Sequence, residues 1–227
     1  MFTLDRVVPW GRSFDEYRRM FALTDDDLRL RIVGCGDGPA SFNAEATRRG
    51  ARVISCDPIY RYDAEQLRQR IADTYDEILD QARRNAAEFL WTSIPSVEAL
   101  GELRMSAMND FLVDYPTGKA EGRYIDAELP GLPFVDASFD LALCSHFLFL
   151  YSDEFPPAFH VESLVELMRV AGEVRVFPLL NMRGERSPHV APVVEALRAA
   201  GLCADVVKVD YEFQRGGDEM LRVTRGG

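Results

Sequence analysis

The sequence predicts an α/β protein: a doubly wound, mostly parallel sheet with helices on both faces and an antiparallel hairpin at its end. Three observations predict it. Short apolar runs alternate with helical patterns through most of the 227 residues, as repeated strand–helix–strand units require. A glycine cluster, GCGDG at 34–38, separates the first such run from the helical pattern after it, where a tight turn is needed. The chain closes on two strand-like runs around QRGGDE, the pattern of a hairpin.

Each element follows from local pattern. Ser13 to Leu28 carries Phe14, Tyr17, Met20, Phe21 and Leu23 on one broad face and reads as the helix of an N-terminal arm, residues 1–28. Arg29 to Val33 is a short buried strand. Pro39 suits the first position of a helix, where its missing N–H costs nothing, and Gly50 suits the exit. Ala51 to Cys56 is the second strand, with Asp57 at its C-terminal end.

Asp63 and Gln66 have the spacing of a capping box. They open a helix whose Leu67, Ile71, Ile78, Leu79, Ala82, Ala86, Phe89 and Leu90 recur at steps of three and four. Ser96 caps another, with Leu100, Leu103, Met108, Phe111 and Leu112, expected to stop at Tyr115-Pro116-Thr117-Gly118. This block, residues 62–119, is too long for a simple crossover and reads as an insertion between strands two and three. It either covers the end of the sheet, with Trp91, Met105, Met108 and Phe111 lining a pocket, or buries those residues in a seam of its own.

Arg123 to Ile125 and Phe139 to Ser145 are the third and fourth strands. Pro156 to Val170 is a helix, Gly172 to Leu180 a strand, and Val190 to Ala200 a helix stopped by Gly201. Cys203 to Phe213 and Met220 to Thr224 form the hairpin, an antiparallel edge on a parallel sheet. The whole chain reads as one domain.

Composition narrows the function. Hydrophobic residues make up 47% of the chain, enough for a proper core. The 37 acidic and 26 basic residues give a net charge of -11, which repels a phosphate backbone and makes nucleic acid a poor partner. No run approaches the ~20 apolar residues of a membrane span. The N-terminus carries charges where a signal peptide needs an apolar run, so the expected location is cytoplasmic. Cys35, Cys56, Cys144 and Cys203 form no CxxC pair. They are expected as free thiols, with no metal site.

In an open α/β sheet, ligands bind beyond the C-terminal ends of the strands near the switch point. The glycine turn after the first strand lies there. Asp57, about twenty residues on, stands where a carboxylate accepts hydrogen bonds from ribose hydroxyls. A nucleoside-containing ligand accounts for both. Pro39 replaces the third glycine of a dinucleotide fingerprint, and no GK[ST] element is present for a triphosphate. A ligand without a diphosphate suits this turn.

VGCGDG before a helix, CDP at the next strand end, and LPFVDASFDLALCSHFLFLY from Leu132 together resemble the S-adenosylmethionine-dependent methyltransferases with the seven-stranded Rossmann-like fold. The resemblance runs from about Arg29 to the C-terminus, apart from the helical block. It implies strand order 3-2-1-4-5-7-6. It also implies that Gly34, Cys35 and Gly36 pass beneath the methionine part of the cofactor, Asp57 binds the ribose, and Pro58 and Ile59 flank the adenine. Asp126, Ala127 and Glu128 match the loop that contacts the adenine amino group. Ser145 and His146 end the fourth strand, where cofactor and substrate meet.

One position departs from the pattern. Ile32 stands where the family commonly has an acidic residue that helps to orient the cofactor's amino-acid end. Arg12, in PWGRSF, is the candidate to bind the cofactor carboxylate instead. His146 is the candidate general base, with Tyr151, Asp153 and Glu154 following on the same loop. His160 and His189 carry no constellation and read as structural, and Phe147, Phe149 and Tyr151 as core. The expected function is S-adenosylmethionine-dependent methyl transfer to a small-molecule acceptor, yielding S-adenosylhomocysteine. The alternatives are a non-catalytic S-adenosylmethionine-binding module and, against the evidence of Pro39, a nicotinamide oxidoreductase. No residue pattern specifies the methylated atom or an oligomeric state.

Overall fold

The structure is a computed structural model, and it describes residues 9–226. The first eight residues of the expected arm lie outside them. The strands are β1 (Arg31–Cys35), β2 (Arg52–Cys56), β3 (Tyr124–Ile125), β4 (Leu141–Ser145), β5 (Glu173–Phe177), β6 (Leu202–Lys208) and β7 (Glu219–Arg225). They form one sheet in the order β3-β2-β1-β4-β5-β7-β6. The first five strands pair in parallel, and β7 runs antiparallel to both β5 and β6. This is the expected strand order, and the expected fold class holds.

Among the described residues the α-helices are α1 (Phe14–Met20), α2 (Phe42–Arg48), α3 (Ala64–Arg84), α4 (Val97–Ala120), α5 (Pro157–Val170) and α6 (Val190–Ala199). Successive strand residues face opposite sides of the sheet, and β1 shows it. Ile32 joins a core with Phe14 and Tyr17 of α1 and Phe42 of α2. Val33 joins a core with Leu164 and Leu167 of α5 and Val193 of α6. Cys35, Cys56 and Cys144 sit at one level on β1, β2 and β4, all buried, while Cys203 is exposed.

Several boundaries differ from expectation, each for a local reason. The first helix stops at Met20 because Ala22 takes a left-handed φ of 48°. A separate 3-10 turn covers Asp27–Arg29. The helix after the glycine turn starts at Phe42, not Pro39, because the Ser41 N–H is drawn to the Arg12 carbonyl at 3.0 Å. Pro116 does not end α4, which runs on to Ala120. A proline inside a helix costs ~3 kcal/mol, yet the Tyr115 hydroxyl donates to the carbonyls of Tyr60 and Tyr62, as does the Lys119 ammonium. These tertiary bonds hold the turn that proline weakens.

The hairpin connection is longer than the sequence implied. β6 ends at Lys208, and residues 209–218 leave the sheet. They dock on the segment joining α3 to α4: the Leu90 N–H donates to the Phe213 carbonyl, and the Arg215 N–H to the Glu88 carbonyl. Phe89 stacks on Phe213 with centroids 4.9 Å apart. Met108 and Phe111 pack with Tyr60, Leu67, Tyr115 and Tyr124 in a third core, and Met105 lies against it. They belong to the helical seam, not to a pocket wall.

Candidate active site

One cavity opens at the carboxyl ends of β1, β2, β4 and β5, where the strand order switches. Its interior volume is about 180 Å³. Gly36, Asp37, Gly38 and Pro39 line it from the turn after β1, Asp57 from β2, and Ser145 and His146 from β4. Arg12 contributes from the segment before α1. Ile78 and Ala82 of α3, Leu100 and Arg104 of α4, and Phe89 and Phe213 complete the wall away from the sheet.

The glycine turn is built around a buried carboxylate. Asp37 is 7% exposed. It accepts from the Tyr17 hydroxyl at 2.8 Å and from the Ser55 hydroxyl at 2.6 Å. Burial raises its pKa to about 6 against the pull of those two bonds. Its carboxylate folds back over Gly34, where a Cβ would stand 2.0 Å from Oδ2. Gly34 is therefore glycine to admit Asp37, and neither it nor Cys35 forms part of the cavity wall. Gly36 has a φ of +72°, and a Cβ there would meet Phe147 Cβ at 2.8 Å.

Asp57 ties the two strand ends together. Its Oδ2 accepts from the Gly38 N–H at 2.8 Å and its Oδ1 from the Ile59 N–H at 2.9 Å. Burial raises its pKa, the two backbone bonds oppose this, and the charges of Asp126 and Glu128 add to the rise. Each oxygen keeps a free lone pair. Pro58 and Ile59 belong to the 3-10 turn that Asp57 caps, outside the cavity wall. Asp126 is exposed and pairs with Arg61 at 3.2 Å, while Ala127 packs against the core. Of the sequence candidates, the structure thus brings Arg12, Gly36, Asp57, Ser145 and His146 to one cavity. Asp126 and Glu128 lie within electrostatic range of its edge.

His146 sits in a left-handed conformation, φ 51°, rare for a residue with a side chain. Its N–H donates to the Phe177 carbonyl at 2.7 Å, which holds the backbone there. Its Nδ1 lies 3.0 Å from Ser145 Oγ, a pair in which either atom can donate. Burial, then the charges of Arg12 and Arg104, hold the His146 pKa well below its usual value, so the ring is neutral.

Two guanidiniums border the same space. Arg12 donates from Nη1 to the Trp10 carbonyl, and its buried Nε has no partner among the described residues. Burial and the charge of Arg104 lower its pKa to about 10, so it stays charged at neutral pH. Arg104 donates from Nη1 to Glu16 at 2.6 Å, and its Nε is likewise buried and unpartnered. Burial alone would raise Glu16, but Arg104 overcomes it and holds the carboxyl at about 2. Asp153 pairs with Arg183 on the surface. His160 is buried in the core, its ring nitrogens 3.0 and 2.9 Å from the Pro156 and Leu148 carbonyls.

Sequence reasoning passed over Asp37, Tyr17, Glu16 and Arg104. Two signals were present. Asp37 is an acid between two glycines of a turn. Arg104 stands midway between Leu100 and Met108 on an apolar helical stripe, where a charge calls for a buried partner.

No family model matches the chain. The uncharacterized protein MJ0045 of Methanocaldococcus jannaschii is 33% identical to it over 223 residues, 98% of each chain. The chain belongs to the family of MJ0045. Solved structures resemble this member of the MJ0045 family in chain path. A TehB-like SAM-dependent methyltransferase from Corynebacterium glutamicum is 14% identical, with a TM-score of 0.46 over 88% of this chain and 81% of its own. Magnesium protoporphyrin IX methyltransferase from Synechocystis, with bound SAM, is 14% identical, with a TM-score of 0.45 over 94% and 91%. At such identities, likeness of chain path says nothing of substrate.

Proposed function

We propose that the chain is an S-adenosylmethionine-dependent methyltransferase acting on a small-molecule acceptor. The observation that carries this is the joining, in one cavity, of a glycine turn, a strand-end aspartate and an unpartnered guanidinium to an apolar chamber. The residues fit the cofactor group by group. The free lone pairs of Asp57 suit ribose hydroxyls. The buried Arg12 Nε–H and its positive charge suit the methionine carboxylate. Asp37 suits the ammonium and takes over the task of the acid missing at Ile32.

When bound, the cofactor supplies an electrophilic methyl group. The protein's part is to orient the acceptor, exclude water and receive a proton where the acceptor must lose one. His146 Nε2 is the base in this reading, a neutral imidazole taken in the tautomer that donates Nδ1–H to Ser145. The walls of Phe89 and Phe213 exclude water.

The test is calorimetric titration with S-adenosylmethionine and S-adenosylhomocysteine, beside Asp57→Ala. Micromolar binding weakened about tenfold or more, ~1.4 kcal/mol, by that substitution is the expected result. No heat and no thermal shift with either ligand ends the proposal.

A further inference from the structure

We propose that the apolar chamber beside the glycine turn binds a small carboxylic acid through Arg104. Naming that acid as the methyl acceptor rests on the methyltransferase reading; the binding site does not.

Arg104 follows Leu100 by four residues on α4, so both project from one face of the helix, and both line the cavity. Arg104 is 1% exposed. Only Nη1 reaches Glu16, and Nε is buried with no partner among the described residues. Glu16 already serves four donors. Its Oε1 accepts from the Tyr211 hydroxyl, and its Oε2 from the Ser13 N–H, the Ser13 hydroxyl and Arg104.

Two neighbouring guanidiniums thus stand beside one carboxylate that already serves four donors, and each keeps a buried Nε–H with no acceptor among the described residues. A buried donor left unpaired is costly, so the site calls for an outside anion. A cofactor carboxylate answers Arg12 and leaves Arg104 unanswered. A second carboxylate matches the guanidinium fork. The surfaces beside it are Ile78, Ala82, Leu100, Phe89 and Phe213, which suit an apolar or aromatic body. A cationic group set against Arg104 is repelled, and a neutral apolar one leaves Nε–H unsatisfied.

The test is titration with cinnamate and its neutral isostere cinnamide, with and without S-adenosylmethionine, read by calorimetry and tryptophan fluorescence. Trp10 lines the cavity and Trp91 stands edge-on to Phe213 at 5.5 Å, so occupancy alters emission. The acid is expected to bind about tenfold or more tightly than the amide, ~1.4 kcal/mol. Arg104→Met alone strands Glu16 as a buried charge, so the variant is Glu16→Gln/Arg104→Met, which removes both. Arg104→Lys keeps the charge and loses the fork. The acid preference should vanish in the double variant and shrink in Arg104→Lys.

Equal binding of acid and amide, or a preference that survives the double substitution, overturns the proposal. So does failure of both probes in protein that binds S-adenosylmethionine, which leaves the cofactor reading standing. Acid preference lost in the variants, with no S-adenosylmethionine heat, supports the carboxylate site and sinks the methyltransferase reading alone.

Discussion

The Tyr17 hydroxyl donates to the Asp37 carboxylate at 2.8 Å, joining the first helix to the floor of the cavity. Tyr17 is wholly buried. Removing its oxygen has two separable effects. Tyr17→Phe should cost about 1–2 kcal/mol of stability, the value of a buried hydrogen bond with its partner left short. It should move the ionisation of Asp37 upward from about 6, because one of the bonds that favour the charged form is gone. Denaturant melts and pH-dependent cofactor titration check the two in turn.

Asp37 makes the empty protein less stable as pH rises. Its carboxyl titrates at about 6 in the fold against 3.8 in the unfolded chain, so the folded state holds the proton more tightly. Stability is lost between about pH 4 and pH 6 and stays lost above, on the order of 3 kcal/mol. Asp37→Asn should raise the urea midpoint at pH 8 more than at pH 4, while weakening cofactor binding. In the unaltered protein, a cationic ligand binds the ionised form, so affinity should rise as pH rises through about 6. A flat affinity between pH 5 and pH 7 would remove Asp37 from the cofactor site.

Glu16 acts in the opposite sense. Its carboxyl lies at about 2 in the fold against 4.5 unfolded, so its contribution is present above about pH 4.5 and disappears as pH falls towards 2. The size is on the order of 3 kcal/mol. Glu16→Gln strands Arg104 as an unpaired buried charge and should cost about 3–5 kcal/mol at neutral pH. The variant should then lose less than the wild type on acidification from pH 5 to pH 3. Urea melts across that range compare the two.

His146 should remain neutral through mildly acidic pH, since burial and two guanidiniums oppose its protonation. Ring proton shifts followed by NMR from pH 8 to pH 5 should stay fixed for His146, assigned with His146→Gln. A titration near 6.5 would mean an open, solvated ring, not one buried beside two guanidiniums.

The sheet was legible because its strands are short, apolar and punctuated. Val33 and Ile54 read as buried strand residues, and Gly50 and Gly201 as helix exits, from local chemistry alone. Asp57 and His146 were legible too, since position at a strand end follows once the strand order is assumed. What the sequence hid depends on long-range pairing. Glu16 and Arg104 are 88 residues apart, and neither has a local reason to be buried. Pro116 was misread because its local penalty is outweighed by bonds from Tyr115 and Lys119 to a distant turn. Tyr211 and Phe213 kept the alternation of a strand, yet they leave the sheet to meet Phe89 and Glu16.

The position of Arg104 on α4 has an evolutionary consequence under the proposed function. In that reading the sheet ends offer Asp37, Asp57 and His146, whose tasks do not change with the acceptor. Arg104, Leu100, Ile78 and Ala82 come from α3 and α4, so mutation can recolour that wall without disturbing strand pairing. In the same reading, lineages that share the sheet are free to diverge in diet, exchanging one acceptor for another by redrawing two helices.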